Sequence, residues 1–284
     1  MIPADLVGRV YGPLSDPVSP GAVAAFVAAT GDDVERWERY APPGFAACAL
    51  FAVTPLLLGD PAVSGYTRSL IHSEQEFSWR RPLAVGEAMA VSGRVSSVRE
   101  RGPLHLVAFE MEAVTGTGTW LEGRSTFLMS GEAAAAAAEG EEPEAGLRAA
   151  FGVAGPLPLP VAGAALAPLE RSASRDDLLR YGAATGDGNP IHTNHGAARD
   201  AGLAGVVVHG LLIASWLCQA AARYAPGAWP LRSLRARFRL PLRPAAAARV
   251  QGRVAAVGDE TADLELALVC DGADLVTATT RVTR

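Results

Sequence analysis

A carboxylate, an amide, a proline and an imidazole lie within six positions of the chain, in the stretch TGDGNPIH that ends at His192. Proline has no backbone N–H and pushes the residue before it toward extended geometry, so Asn189 and Pro190 predict a bend and exclude ordinary helix interior. Asp187 and His192 then stand on either side of that bend. Such a turn, with Asn189 and Pro190 fixing its geometry, makes Asp187 and His192 a candidate general acid–base pair.

The alternative is a structural role, in which Asp187 caps the next helix and His192 is an ordinary loop residue. The proline turn between the two residues favours the functional interpretation.

A second feature is the pair His209-Gly210 in AGLAGVVVHGLLIASW, where a loop enters an apolar segment that predicts a buried helix. A helix N-terminus presents unpaired amides and a positive dipole end, and glycine lets a ligand approach the backbone. The Gly210 amide is therefore a candidate oxyanion-hole donor, although by itself this glycine would more simply allow tight packing of a helix on a sheet. A base, an acid and an oxyanion donor together suit removal of a proton beside a carbonyl, followed by loss of water from the neighbouring carbon.

Composition excludes several function classes. The chain has 284 residues, 49% of them apolar, and a net charge of −5, so it can fill one large or two ordinary domains and carries no basic footprint for nucleic acid. All 25 basic residues are arginine, which excludes a lysine-dependent phosphate loop and Schiff-base chemistry. No apolar run predicts a membrane span, the N-terminus does not resemble a signal peptide, and three cysteines without paired spacing predict a reduced, cytoplasmic location.

An internal repeat organises the chain. The sequence AATGD occurs at 28–32 and again at 183–187, each time after an apolar segment with helical period that opens with a serine. A second match pairs Gly93-Arg94 with Gly252-Arg253, in the same order and at nearly the same offset. Two ordered matches predict a duplicated domain. We expect a first domain over 1–130, an alanine-, glutamate- and proline-rich linker over 131–160 with a weak helix at its alanine run, and a second domain over 161–284.

Each copy has the order helix, loop, apolar helix and strands. In the second copy the apolar helix VHGLLIASWLCQAAARY precedes LRSLRARFRLPLRP, which alternates with period two, and three further strands. The first copy repeats these strands in HSEQEFSWRRPL, MAVSGRVSSV, LHLVAFEMEAV and GRSTFLM, after a helix region, PPGFAACALFAV, that we expect to be small and irregular. The predicted fold class is α+β, with a curved antiparallel sheet wrapped around one helix in each half.

The segment YGAATGDGNPIHTNHGAARDAGLAGVVVHGLLIASW closely resembles the hydratase-2 signature of MaoC-like (R)-specific enoyl-thioester hydratases and dehydratases. HSEQEFSWRRPLAVGEAMAVSGRV resembles the N-terminal, non-catalytic half of the two-domain members. The resemblance implies a double hot-dog fold and a hydro-lyase that interconverts (3R)-3-hydroxyacyl and trans-2-enoyl thioesters of coenzyme A or acyl carrier protein, with no cofactor.

The resemblance also implies roles for individual residues. Asp187 and His192 would be the catalytic dyad, Asn189 would orient it or the substrate, and the Gly210 amide would polarise the thioester carbonyl. Which dyad member takes the α-proton is left open. Many members carry an acidic residue where this chain has Asn194, from which we expect a changed helix cap and retained activity.

The first copy keeps Asp32 but has Trp37 at the position that matches His192, and TGDDVERW replaces TGDGNPIH. We therefore expect the first half to be inactive and to shape a tunnel for the acyl chain, while it completes the sheet. The segment GTGTWLEG does not have the spacing of a dinucleotide-binding motif.

Other polar residues are interpreted as follows. Arg235, Arg237 and Arg239 are candidates for contacting the phosphates of coenzyme A or phosphopantetheine, or else form a solvated outer face of a sheet. A metal site of Asp187, His192 and His195 is disfavoured because no cysteine supports it. Alternation places His72, Glu74 and Glu76 on one exposed or interdomain face. The competing functions are a non-catalytic acyl-thioester binding or assembly subunit and a hot-dog thioesterase, and the chain is expected to be a monomeric pseudo-dimer or a homodimer.

Overall fold

The computed structural model describes residues 2–132 and 155–284 of the chain. The alanine run of the predicted linker lies outside these residues, so the proposed weak helix and the domain boundaries stay predictions. Within the described residues, no helix combines the length and the apolar content needed to cross a lipid bilayer.

Two pairs of matching helices reflect the duplication. Helix α1 (Pro20–Thr30) and its counterpart α4 (Arg175–Thr185) begin with the predicted serine caps at Ser19 and Ser174. Both end at a glycine in the left-handed region, Gly31 and Gly186, because the chain must reverse there and only glycine does so without strain. The two AATGD copies are therefore helix termini, and each delivers an aspartate just beyond the last helical turn.

The buried central helices are α2 (Ala46–Leu58) and α6 (Gly210–Ala222), with the short helices α3 (Pro61–Ser64) and α5 (His195–Asp200) after and before them. Helix α6 is buried along nearly its whole length, as its continuous apolar sequence predicted. The expectation of a small, irregular helix in the first copy is wrong, because α2 has 13 residues, as many as α6.

In the described ranges, ten strands form one antiparallel sheet in the order β1-β3-β4-β5-β2-β7-β10-β9-β8-β6. In the first half these are β1 (Val10–Pro17), β2 (Ser69–Trp79), β3 (Ala88–Arg101), β4 (Leu104–Thr115) and β5 (Gly118–Ser130). In the second half they are β6 (Leu169–Arg171), β7 (Leu231–Phe238), β8 (Ala248–Val257), β9 (Thr261–Cys270) and β10 (Ala273–Thr283). All eight predicted strands are present, and the edge strands β1 and β6 were missed because each is short or poor in alternating apolar residues.

The two halves share one sheet and one core. Strand β2 pairs with β7 across the junction, with Glu74 opposite Arg237. Helix α6 packs on β7 to β10, α2 packs on β1 and β3, and α1 packs against α4. Each half is thus a curved sheet around one central helix, as the sequence predicted, and the short turn before α2 packs against α6.

The second repeat match also has a structural basis. Gly93 faces the Phe109 ring and Gly252 faces the Glu265 carbonyl so closely that a Cβ at either position would overlap them. The following arginines make cross-strand ion pairs, Arg94 with Glu110 and Arg253 with Glu265. The Gly-Arg pair therefore combines a close strand contact with a charged outer face in both halves.

Candidate active site

The bend predicted between Asp187 and His192 is built from local hydrogen bonds. The Asp187 carboxylate accepts a hydrogen bond from the Asn189 amide at 3.2 Å, immediately after the glycine that ends α4. The Asn189 side chain in turn accepts from the Ile191 amide at 3.3 Å and caps a single 3-10 turn over Pro190–His192. Asn189 thus shapes the turn that carries His192. Asn194 caps the following helix α5, as its departure from an acidic residue led us to expect.

The turn orients the His192 ring so that a hydrogen bond holds one of its two nitrogens in place. Nδ1 lies 2.8 Å from the Val207 carbonyl oxygen. Because a carbonyl oxygen only accepts, Nδ1 carries the proton and the neutral ring has its lone pair on Nε2. Nε2 lies 4.0 Å from Asp187 Oδ2, and less than a tenth of either side chain is exposed.

Burial shifts the pKa values of both Asp187 and His192 in the direction that favours their neutral forms. It raises the pKa of the Asp187 carboxyl above its ordinary value, against the opposing influence of His192 and the Asn189 amide. It lowers the pKa of His192, against the opposing influences of the Asp187 charge and the Val207 carbonyl. His192 is therefore an unprotonated base near neutral pH, and the structure brings together the two residues that the sequence paired.

A second imidazole, His209, lies directly on the first. The His192 and His209 ring centroids are 3.8 Å apart with 24° between the ring planes. The Tyr181 ring of α4 lies 4.9 Å from His209 on a tilted plane. His209 is completely buried, and burial lowers its pKa to about 2, so this ring is neutral.

The residue that joins Asp187 and His192 as a possible metal ligand is His209, because ligand atoms of these three lie within 4.8 Å of one another. The metal site weighed from the sequence included His195, which instead lies against Gly205. A zinc ion must lie in the plane of each imidazole that binds it, about 2.0–2.1 Å from the nitrogen. Two nearly parallel rings in a stack do not direct their lone pairs to one point, so this arrangement does not fit a shared ion.

A cavity of about 900 Å³ opens beside the dyad. Its wall includes Asp187, His192 and Gly210, the first residue of α6. The amides of the first helical turn have no acceptor within the helix, so the Gly210 N–H is available where a carbonyl oxygen would enter. A Cβ at position 210 would lie 3.3 Å from the Phe238 ring, so glycine also keeps that approach open.

The first half of the chain supplies a large part of the same cavity wall. The contributing side chains include Phe51 and Leu58 of α2 and Phe127 of β5. They are mostly apolar, as a pocket for an alkyl chain would be. The structure therefore places the first half where the sequence expected it to shape a tunnel.

His72 also lines this cavity, which corrects the prediction that it shares one exposed or interdomain face with Glu74 and Glu76. The register between β2 and β5 shifts between His72 and Glu74, so a β-bulge turns His72 to the inner face. Its ring lies between Phe127 and Phe238 at 4.9 and 5.2 Å, and burial lowers its pKa to about 4. The alternation of inward-facing and outward-facing residues fails here, because one extra residue in β2 reverses the face on which all earlier residues of the strand lie.

The three candidate phosphate-binding arginines separate into two groups. Arg235 and Arg237 donate to Glu74 at 2.6 and 3.1 Å on the outer face of the sheet, and neither lines the cavity beside the dyad. Arg239 follows the end of β7 and lines that cavity, as does Arg68, which precedes β2 and was not singled out from the sequence. Because β2 and β7 are antiparallel neighbours, Arg68 and Arg239 lie toward the same end of this strand pair.

Within the described part of the first half, the corresponding region holds no acid–base pair. Asp32 is half-buried, and this burial raises its pKa, while the Asp33 amide, Trp37 and two arginines, Arg36 and Arg171, lower it. An indole in place of the imidazole has no group that accepts a proton near neutral pH. This geometry agrees with the expectation that the first half does not catalyse the reaction.

The sequence reasoning did not give His209 a role, although it noted the residue beside Gly210. The position of His209 in the sequence could have indicated a role, because the residue before the first turn of α6 must lie near any group that the Gly210 amide contacts. Phe238 and Val207 carried no comparable signal. Their contributions depend on how β7 and the loop before α6 pack against the bend.

Two family models match the chain. The model described as MaoC like domain matches residues 160–268, and the model described as FAS1-like, dehydratase domain region matches residues 5–120. The two matches fall on the two halves of the repeat.

Similar proteins include the 3-hydroxyacyl-thioester dehydratase X of Mycobacterium tuberculosis, which is 28% identical over 267 residues that cover 93% of this chain and 86% of that protein. A crystal structure of HtdX from the same organism is 28% identical with a TM-score of 0.67, and covers 96% of this chain and 99% of the other. A conserved hypothetical protein of Mycobacterium tuberculosis with a double hotdog fold is 14% identical with a TM-score of 0.63, and covers 98% and 96% of the two chains. The predicted fold class is confirmed by this likeness.

Proposed function

We propose that this chain, a hydro-lyase that belongs to the MaoC-like dehydratase family, dehydrates (3R)-3-hydroxyacyl thioesters to trans-2-enoyl thioesters and catalyses the reverse hydration through Asp187 and His192. One observation carries this proposal. The His192 ring donates from Nδ1 to a backbone carbonyl and turns a free Nε2 toward a carboxylate in the wall of a large cavity.

The proton path follows from the tautomer. In dehydration, His192 Nε2 takes the proton from C2 of the substrate, and the C–H electron pair forms the enolate of the thioester. The enolate then forms the C2–C3 double bond as the C3–O bond breaks. The leaving hydroxyl takes a proton from the His192 imidazolium and departs as water, so the base is restored in the same turnover.

Asp187 and Gly210 stabilise the charges that develop. The Asp187 carboxylate, 4.0 Å from Nε2, stabilises the imidazolium and accepts a hydrogen bond from the 3-hydroxyl. The amide of Gly210 donates to the thioester oxygen, where the enolate charge accumulates. Asn189 acts indirectly, because its side chain caps the turn that holds His192.

The substrate is a thioester of coenzyme A or of acyl carrier protein. The apolar wall from Phe51, Leu58 and Phe127 receives the acyl chain. Arg239 and Arg68 would meet a phosphate of the carrier arm, whereas the ion pairs of Arg235 and Arg237 with Glu74 leave those two arginines on the outer face of the sheet.

The test is to mix the purified chain with crotonyl-CoA and follow the absorbance of the conjugated enoyl thioester. We expect decay that is lost in both Asp187→Asn and His192→Gln. Binding of the thioester without any change in absorbance would favour a non-catalytic acyl-thioester binding subunit, and release of free coenzyme A thiol would favour a thioesterase. Either result refutes the proposal.

A further inference from the structure

His209 is a fully buried polar ring beside the dyad, yet it cannot touch a substrate. Its exposed fraction is 0%, and it is absent from the wall of the cavity that holds Asp187 and His192. Neither of its ring nitrogens has a hydrogen-bond partner among the described residues. A buried polar group without a partner destabilises the folded state, so a residue of this kind needs an explanation.

The contacts that His209 does make are ring contacts. One face covers the His192 ring at 3.8 Å, and Tyr181 packs at 4.9 Å. The Nε2 edge points toward Gly182, where a Cβ would lie 3.7 Å away, at an ordinary contact distance. Any influence of His209 on the reaction therefore passes through His192.

We propose that His209 is a positioning residue, whose ring face holds the His192 ring in its reactive plane and stabilises the imidazolium that forms when Nε2 takes a proton. This inference rests on the proposed function. It deepens that function because it assigns a role to a side chain outside the substrate cavity.

Two constraints then fix the His192 ring. The hydrogen bond from Nδ1 to the Val207 carbonyl fixes one edge but permits the ring to tilt about that bond. The stacked ring of His209 removes this freedom, because a tilt would break the face-to-face contact. The same buried aromatic face attracts a cation lying over it, and this attraction is strongest where water is excluded.

The proposed role of His209 requires the face of its ring and not its nitrogens. Three variants can therefore test the role. His209→Phe keeps a flat ring and removes the nitrogens. His209→Leu keeps much of the volume without a ring, and His209→Ala leaves a void. Thermal melting identifies the folded variants, and kcat is compared per folded protein.

We expect His209→Phe to keep kcat within about threefold of the unmodified enzyme and His209→Leu to lower it about 10-fold, which corresponds to about 1.4 kcal/mol. KM should change less than about threefold in both, since His209 does not line the cavity. Equal kcat in His209→Leu and the unmodified enzyme would refute the role of the ring. A loss in His209→Phe as large as in His209→Leu would refute it as well, because a nitrogen would then be required.

A second measurement does not depend on turnover. In nuclear magnetic resonance spectra, the His192 ring protons should show the ring-current shift of a stacked neighbour, with a single Nδ1-protonated tautomer. This signature should persist in His209→Phe and be lost in His209→Leu. If the His192 signals are unchanged in His209→Leu, the positioning role is wrong whatever the activity. If the unmodified enzyme does not act on crotonyl-CoA while the signals change as expected, the proposed function fails and the ring contact stands.

Discussion

Replacement of Asp187 by asparagine removes the carboxylate charge beside His192. The two side chains are nearly isosteric, so the turn built on Asn189 and Pro190 should survive, because an amide oxygen also accepts the hydrogen bond from the Asn189 amide. What the variant loses is the negative charge 4.0 Å from His192 Nε2. In the proposed mechanism the enolate step makes an imidazolium at that nitrogen, so in this variant the transition state would lose its nearest counter-charge.

The magnitude follows from the separation. Two unit charges about 4 Å apart interact by about 4 kcal/mol at an effective dielectric constant of about 20, the value that suits protein sites. Since about 1.4 kcal/mol corresponds to a factor of ten in rate, Asp187→Asn should lower kcat about 10³-fold. KM should change little, because the neutral His192 of the ground state gains little from the carboxylate.

The assay is the decay of crotonyl-CoA absorbance, measured as kcat and KM over a range of pH. The matched control is Asp32→Asn, the same change at the half-buried repeat counterpart, which lies beside Trp37 and two arginines. Its kcat should stay within about threefold for protein that remains folded by thermal melting. In Asp187→Asn the acid limb of the profile should also move to lower pH, because the Asp187 charge is what opposes the lowered pKa of His192.

Three results would refute this reasoning. Asp187→Asn could retain more than a tenth of kcat, Asp32→Asn could lose as much as Asp187→Asn, or the acid limb could move upward. The first would mean that the carboxylate does not face the developing charge. The second would mean that the loss reflects general damage and not the dyad, and the third would mean that His192 is not the base.

Four further predictions follow from the same geometry. The pKa of His72 is lowered to about 4, so as the pH falls the unfolded chain binds the proton before the folded chain does. The stability that the neutral His72 ring contributes is therefore full above a pH of about 6.5 and is lost on acidification. Between pH 7 and 5 the free energy of unfolding, measured by denaturant titration, should drop by about 2 kcal/mol less in His72→Phe than in the unmodified chain. Arg239→Gln should raise KM for crotonyl-CoA about 3–10-fold at low salt and less at high salt. Arg237 pairs with Glu74, so Arg237→Gln should leave KM unchanged. Equal effects of the two substitutions would be inconsistent with a phosphate contact at the cavity. Leu58→Trp should lower kcat/KM for long-chain enoyl thioesters relative to crotonyl-CoA, because Leu58 lines the apolar part of the cavity, and an unchanged chain-length profile would contradict the tunnel. Gly252→Ala should destabilise the fold by about 1–3 kcal/mol because its Cβ meets the Glu265 carbonyl, while Gly21→Ala, which meets nothing, should be neutral or slightly stabilising in thermal melts.

The correct and the incorrect sequence predictions separate by the range of the interactions involved. The serine caps, the glycine helix ends and the bend at Asn189-Pro190 all appear as predicted, because each is decided by residues within a few positions of one another. The alternation of β2 led to a wrong face for His72, because a bulge against β5 is set by pairing between strands. The expectation for α2 was wrong because the alanines of its first turns are buried, and such small side chains let the helix pack closely along that face.

The candidate site divides in the same way. The sequence alone determined the duplication, the pairing of Asp187 with His192 and the place of Gly210, since turn chemistry and helix termini are encoded in contiguous residues. Only the tertiary structure decided that Val207 fixes the His192 tautomer, that His209 covers its ring and that the first half completes the cavity. Those contacts join segments that are separated in the chain and meet only when the sheet and its two helices are packed. Residue type and local spacing carry no information on which faces will meet.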